Sequence, residues 1–214
     1  MVMMTVNSAC SKPKFLVWSL KRFMDIGFCL IALPILVPVL ALVALAVITT
    51  SRGPAFFVQT RVGLGGKTFE MYKFRSMYTD AESRRDEVAL LSDREGICLK
   101  VKRDPRVTPL GRFLRRWSLD ELPQAINVFK GDMSFVGPRP ALTCEVAQYP
   151  EYAHQRHEVL PGITGLWQVS GRAEIGFDEM IALDLEYVRQ VSVLTDVRIL
   201  LRTVGAVLDG QGAY

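Results

Sequence analysis

Two adjacent carboxylates, Asp120 and Glu121, stand in the segment Ser118-Leu119-Asp120-Glu121-Leu122-Pro123, and downstream Arg139 is enclosed by prolines in Val136-Gly137-Pro138-Arg139-Pro140. One reading of the acid pair is local: Ser118 and Glu121 have capping-box spacing, with Asp120 in the first helical turn. A chemical reading is compatible with it. First-turn N–H groups and the positive end of the helix dipole keep a carboxylate ionised, and the same end attracts phosphate. An ionised aspartate beside a phosphate can attack phosphorus. Two carboxylates repel that phosphate unless cations intervene. A magnesium ion shared by one carboxylate and the substrate phosphates would remove the repulsion, and arginines would supply the rest. Arg112, Arg115 and Arg116 lie just before the pair. The prolines beside Arg139 fix its backbone, so its bidentate fork is presented at low entropic cost. Lys73 and Arg75, in the basic half of the chain, complete the candidate phosphate ligands.

These groups need elements to hold them. Residues 55–62 and 67–74 are short β-prone runs around Gly63, Gly65 and Gly66, a hairpin pattern. Gly66-Lys67-Thr68 imitates the end of a Walker A loop, but Arg61 stands where its first glycine belongs, so a phosphate loop is excluded. Thr79-Asp80-Ala81-Glu82 has capping-box spacing and opens an expected helix to about residue 91. Residues 110–117, LGRFLRRW, suit a short helix at a membrane interface, aromatics dipping in and arginines facing headgroups or ligand phosphates. Helical periodicity recurs over 177–191 and 196–208, both expected to be packing elements, with Asp184 and Glu186 on a solvated face.

Ile26 to Thr50 holds 25 residues without a charge. A straight helix of that length reaches about 37 Å, enough for a hydrocarbon core of roughly 30 Å. A signal peptide is disfavoured by the length of the run and the lack of a small-x-small cleavage site. Pro34 and Pro38 lie inside it, and Lys12, Lys14, Lys21 and Arg22 before it are matched by Arg52, Arg61 and Lys67 after it. Cationic flanks on both sides place both ends on the cytoplasmic face, and a break at the prolines leaves arms too short to cross. A re-entrant hairpin is favoured over a kinked spanning helix, which prolines also permit.

Charge is uneven: residues 1–51 carry four basic and one acidic side chain, 52–139 carry 17 and 11, and 140–214 carry 5 and 10. The membrane-proximal half therefore expects an anionic partner, lipid headgroup or phosphate. No nucleic-acid motif accompanies the basic patch at 94–116, so nucleic acid is not expected. Cys10, Cys29, Cys98 and Cys144 lack paired spacing and suggest a reducing compartment. His154 and His157 lack a completing acidic or thiol group and read as surface residues.

The segment RDPRVTPLGRFLRRWSLDELPQAINVFKGDMSFVGPRP at 103–140 resembles the signature of the bacterial sugar transferases, the monotopic polyprenyl-phosphate phosphoglycosyl transferases. The likeness extends to Lys21-Arg22, to 53–77, to PGITGLWQVSGR at 161–172, to Leu183-Asp184-x-x-Tyr187 and to the terminal Gly212-Ala213-Tyr214. The resemblance implies transfer of sugar-1-phosphate from a nucleoside diphosphate hexose to polyprenyl (undecaprenyl) phosphate, with release of a nucleoside monophosphate, at the start of exopolysaccharide or related glycan synthesis. It further implies Asp120 as nucleophile, Glu121 as its assistant, magnesium at Asp120, and phosphate contacts from Arg115 and Arg139. The family's break at a Ser-Pro aligns with Val37-Pro38, where the serine is missing, and Leu160 stands where many members carry a basic residue. The additional membrane helices of larger members are not seen, which resembles the short form. The Trp167–Arg172 variant is similar to that of hexose-specific members.

The expected fold is α+β and mainly helical, with an N-terminal re-entrant membrane helix-break-helix, a small β-hairpin and interfacial amphipathic helices. The expected division is a tail over 1–22, a membrane anchor over 23–51 and a cytoplasmic catalytic domain over 52–214, located at the bacterial inner membrane, with a homodimer left open. The competing class, a non-catalytic lipid-binding scaffold of a polysaccharide assembly complex, explains the anchor and the basic half but has no need of Asp120.

Overall fold

The computed structural model describes residues 14–84, 88, 101, 104–171 and 175–209. Helix α1, Lys14–Thr50, is one element of 37 residues with Pro34 and Pro38 inside it. The expected interruption at the prolines is thus corrected: the helix continues through both. Pro38 would have donated to the carbonyl of Pro34, so the missing rungs fall on one side of the helix and the remaining ladder carries the turn.

Both ends of α1 pack on the same body. In its first half, Lys21 pairs with Asp196, and Cys29 is buried with Met71, Val128 and Met133. Near its end, Val47 is buried with Phe74 and Leu114, flanked by Leu40, Val43 and Ala44. Between them the outer face is apolar and bare, with Ile31 78 % and Ile35 73 % exposed. The turn just past the end of α1 is held by Arg75, whose guanidinium donates to Ser51 O at 2.8 Å, to Gly53 O at 3.1 Å and to Arg52 O.

Strands β1 (Phe56–Val62) and β2 (Thr68–Phe74) form the expected antiparallel hairpin, Phe57 opposite Lys73 and Arg61 opposite Phe69. Helix α2, Pro109–Arg116, begins with proline in its first turn and with Thr108 accepting from Gly111 N at 2.9 Å. Gly111 lies directly on the Ser76 carbonyl, where a Cβ would stand 1.9 Å from the oxygen. That contact lets α2 cross the end of the hairpin closely. A single 3-10 turn, Leu119–Glu121, then leads to α3, Gln124–Lys130, with Pro123 just ahead of it.

Strand β3 (Ser134–Val136) pairs in parallel with β5 (Gly162–Thr164), while β4 (Ala141–Leu142) joins the free edge of β1. Gly137 and Gly162 touch backbone to backbone; a Cβ on Gly162 would sit 2.1 Å from Gly137 N. Helix α4 (Thr143–Val146) and a 3-10 segment, Glu151–Glu158, follow β4. Helices α5 (Phe177–Arg189) and α6 (Val193–Asp209) close the described chain. The α+β, mainly helical class expected from the sequence is what forms.

Several local expectations change. Ser118 lies in the left-handed region at φ 54 and its side chain makes no cap, so Ser118–Glu121 is not a capping box. Asp184 is buried, not solvated. His154 is exposed as expected, but His157 is buried and stacks on Tyr149 with ring centroids 6.4 Å apart. On α6, Ile199 and Leu200 join the apolar core, while Leu194, Val197, Leu201, Val204 and Leu208 are exposed. On α2, Phe113 and Trp117 are exposed beside Arg112 and Arg116, the pattern an interfacial helix needs. The helix expected from Thr79 begins as turn at Thr79–Arg84, and most of it lies outside the described residues, as do Arg172, Cys10, Cys98 and Gly212-Ala213-Tyr214.

Candidate active site

A cavity of about 810 Å³ opens between the hairpin, α1, the 3-10 turn and the Gly-Pro-Arg-Pro loop, and its lining includes Arg61, Lys73, Arg115, Asp120, Glu121 and Arg139. The turn Leu119–Glu121 delivers the two carboxylates differently. Its tight geometry is set by Ser118 in the left-handed region, with Glu121 N donating to Ser118 O at 3.3 Å.

Glu121 is fully engaged. Its Oε1 accepts from Lys73 Nζ at 2.9 Å and from Arg139 NH1 at 3.1 Å. Burial alone would raise its pKa, but the charges and hydrogen bonds of Lys73 and Arg139 prevail and hold it at about 2. Glu121 is therefore a fixed anion that seats two cations, and a poor proton acceptor near neutral pH.

Asp120 is 7 % exposed and has no hydrogen bond or ion pair among the described residues. Burial and the neighbouring Glu121 push its carboxyl upward, while Lys73, Arg115 and Arg139 pull it down. The net direction is up. This differs from the helix-end picture, in which backbone N–H groups would stabilise the anion: the 3-10 turn is too short to supply a helix dipole. Lys73, Arg115 and Arg139 favour the anion against burial, and the carboxylate has no donor attached among the described residues.

The predicted cations separate into two groups. Lys73 and Arg139 touch Glu121, and Arg115 lies in the cavity wall with its Nε on Ser76 Oγ at 3.0 Å. Burial lowers Lys73 and Arg115 from their ordinary values. Arg139 moves the other way, because Glu121 outweighs the effect of burial. Arg112 is exposed, its NH1 donating to Val107 O at 3.5 Å, and stands outside the cavity lining. Arg75 borders the cavity but commits its NH groups to the turn after α1. Pro34 and Pro38 are exposed on α1, whose Cys29, Ala32 and Leu36 give the cavity an apolar wall.

Sequence reasoning missed Arg61 as a site residue. It lies in the cavity, donates to Pro140 O at 3.0 Å, and is lowered to about 10 by burial and by Arg139. The available signal was strand alternation: Phe57, Gln59 and Arg61 share one face of β1.

A divalent ion is compatible with this donor set in one specific way. No cluster of three or more His, Cys, Asp or Glu side chains exists among the described residues, so these offer no complete cage. Asp120 lines the cavity and its carboxylate has no hydrogen-bond partner among the described residues. One carboxylate completed by substrate phosphates and water is the usual way protein holds magnesium.

The family model for bacterial sugar transferases matches residues 16–210. The chain belongs to that family. It is 44 % identical over 194 residues to a galactosyl transferase, CpsE, of Streptococcus agalactiae, covering 90 % of this chain and 43 % of that protein. It is 41 % identical over 203 residues to the UDP-glucose:undecaprenyl-phosphate glucose-1-phosphate transferase of Escherichia coli, covering 91 % and 41 %. The exopolysaccharide production protein ExoY of Sinorhizobium fredii is 37 % identical over 198 residues, with 91 % and 88 % covered. The chain thus spans about two fifths of the length of several curated relatives and nearly all of ExoY. In this member of the bacterial sugar transferases, the matched region takes in α1, the cavity and both carboxylates.

Proposed function

We propose that this chain transfers sugar-1-phosphate from a nucleoside diphosphate hexose to polyprenyl phosphate at the cytoplasmic face of a bacterial inner membrane. The observation that carries the reading is Asp120: a buried carboxylate without a partner among the described residues, in a cavity lined by Lys73, Arg115 and Arg139. A lipid-binding scaffold has no use for such a group. The relatives' names, a UDP-glucose:undecaprenyl-phosphate glucose-1-phosphate transferase among them, indicate the substrate class.

In the proposed route an Asp120 oxygen attacks the phosphorus next to the sugar, and the bond to the bridging oxygen breaks. The nucleoside monophosphate leaves with that oxygen. A phosphate oxygen of the polyprenyl phosphate then attacks the same phosphorus, restoring the Asp120 carboxylate and forming the lipid diphosphate sugar. Two steps let one cationic site treat a water-soluble and a membrane-borne anion in turn. Lys73, Arg115 and Arg139 balance the phosphate charge, and Glu121 keeps Lys73 and Arg139 in position. Bound by Asp120 and the donor's phosphates, magnesium would supply further charge neutralisation at the leaving group.

The packing of α1 supports an anchor that keeps both of its ends on one side of the membrane. Cys29 and Val47, about 27 Å apart along a straight helix, are both buried against the same body. A helix crossing the bilayer between those points would carry one of them away from it. The bare face with Ile31 and Ile35 is the part left for lipid. In cells carrying otherwise cysteine-free protein, Lys12→Cys and Lys67→Cys are both expected to resist a membrane-impermeant thiol reagent. Labelling of position 12 from outside would instead establish a spanning helix.

The activity is tested by nucleoside monophosphate release from UDP- and GDP-hexoses in the presence of polyprenyl phosphate and magnesium; absence of release with every donor would end this reading. Arg139→Lys keeps the charge but not the planar fork, and the lost charged hydrogen bond is expected to cost about 1–3 kcal/mol in kcat/KM. Steady-state kinetics on purified protein measure it, and unchanged kinetics would make Arg139 an ordinary loop residue.

A further inference from the structure

The Gly-Pro-Arg-Pro loop poses a positioning problem. Pro138 and Pro140 have no N–H, so few backbone donors are available to hold the segment that aims Arg139. The structure holds it by its carbonyls. Val136 O accepts from Lys21 Nζ at 2.9 Å, Pro138 O from Gly162 N at 2.9 Å, Arg139 O from Arg156 NH2 at 2.9 Å and Pro140 O from Arg61 NH1 at 3.0 Å.

Two of these cations are buried and set by partners on α5 and α6. Arg156 is 2 % exposed; the NH2 that reaches Arg139 O also donates to Asp184 Oδ2 at 2.6 Å, and NH1 donates to Tyr149 Oη at 2.8 Å. Lys21 is 5 % exposed and pairs with Asp196, while its Nζ also donates to Tyr187 Oη at 3.2 Å. Tyr187 Oη lies 2.8 Å from Asp196 Oδ1 and 3.1 Å from Val136 O. Its single proton serves one of these acceptors, and Lys21 supplies the other. Asp184 and Tyr187 are three apart on α5 and so share its inner face, one serving each side of the loop.

We propose that Arg156 seated by Asp184, and Lys21 seated by Asp196 and Tyr187, are positioning residues that clamp the carbonyls of Arg139 and Val136 and so aim the Arg139 guanidinium at Glu121 and the cavity. They act through Arg139 and do not bind substrate themselves. Lys21 belongs to α1, so the membrane-embedded helix is tied to the reactive loop by the same clamp. The inference deepens the transferase reading and rests on it for its kinetic test, while its structural test is independent.

Deleting one charge of a buried pair threatens folding, so the informative variant is Arg156→Gln with Asp184→Asn, which removes both charges together. In an otherwise native chain it is expected to lower kcat/KM by about ten- to a hundredfold, as a small misplacement of a substrate-positioning group does. Combined with Arg139→Lys, it is expected to add less than about twofold, because residues acting through one group are not additive. A further tenfold loss in that background would show an independent role and overturn the proposal.

Hydrogen exchange of the Gly137 amide, which donates to Thr164 O at 2.9 Å, gives the second readout. The double variant should speed exchange there at least tenfold and leave the β1–β2 hairpin unchanged. Unchanged exchange at Gly137, or equal acceleration in both places, would overturn the clamp whether or not the chain proves to be a transferase. A wild-type chain without turnover, with exchange changed at Gly137 alone, would remove the transferase reading and leave the clamp standing.

Discussion

Asp120→Asn is expected to abolish sugar-phosphate transfer, with activity falling to the level of a no-enzyme control, while the protein remains folded. The substitution is nearly isosteric and removes a negative charge from a buried position that has no hydrogen-bond partner among the described residues. Folding therefore loses no hydrogen bond. Burial already pushes the Asp120 carboxyl upward, so neutralising it removes a desolvation penalty, although the attraction to Lys73, Arg115 and Arg139 is lost as well. The decisive measurement uses a donor radiolabelled in the sugar, incubated with enzyme and no lipid acceptor. Label should stay with the wild-type protein through denaturation and be absent from the Asn variant. If the lipid phosphate attacks the donor directly, no label is trapped, and kinetics require both substrates bound together. In that case Asp120 is not the nucleophile.

Glu121→Gln should lower kcat/KM by about ten- to a hundredfold, through a different cause. Its Oε1 seats both Lys73 and Arg139, and charge-assisted hydrogen bonds of this kind contribute about 1.5–3 kcal/mol. Glutamine preserves an acceptor at that place but not the charge. The two cations then face each other without the charge that seats them, offset by the more weakly acting Asp120 and Glu145. Because Glu121 is held at about 2, it does not serve as the proton acceptor, and the loss should be nearly independent of pH between about 6 and 8. A pH–rate profile of the variant that loses a limb present in the wild type would contradict that and restore a base role.

The same residue governs part of the acid stability. A glutamate of ordinary value 4.5 that is held at about 2 in the folded chain contributes stability that is fully present above about 4.5. That contribution disappears as pH falls from about 4.5 toward 2. Denaturation midpoints between pH 7 and pH 3 should therefore decline less steeply in Glu121→Gln than in the wild type, and parallel declines would show that the folded chain does not depress Glu121.

Much of this was legible in the amino-acid sequence. The hairpin over β1 and β2 was written in alternation and turn glycines, and α2, α5 and α6 in helical periodicity, because those patterns follow from the repeat of the element itself. The apolar run of α1 and its basic flanks were equally plain. Asp120, Glu121, Lys73, Arg115 and Arg139 were readable as candidates by type, and the structure brings them to one cavity.

Tertiary structure alone decided what each charged group does. The capping spacing of Ser118 and Glu121 was an accurate count attached to the wrong partner: a left-handed Ser118 turns Glu121 toward Lys73 and Arg139. Lys73 on β2 and Arg75 just past its end lie two apart, yet Arg75 holds the turn after α1 and Lys73 seats against Glu121. Asp184 reads as a surface acid until Arg156 is brought to it across 28 positions of sequence. Local patterns encode element type and the face to be buried, because neighbours in sequence decide both. The partner of a buried charge comes from a distant element, and only packing chooses which distant carbonyl or carboxylate lies within 3 Å of it.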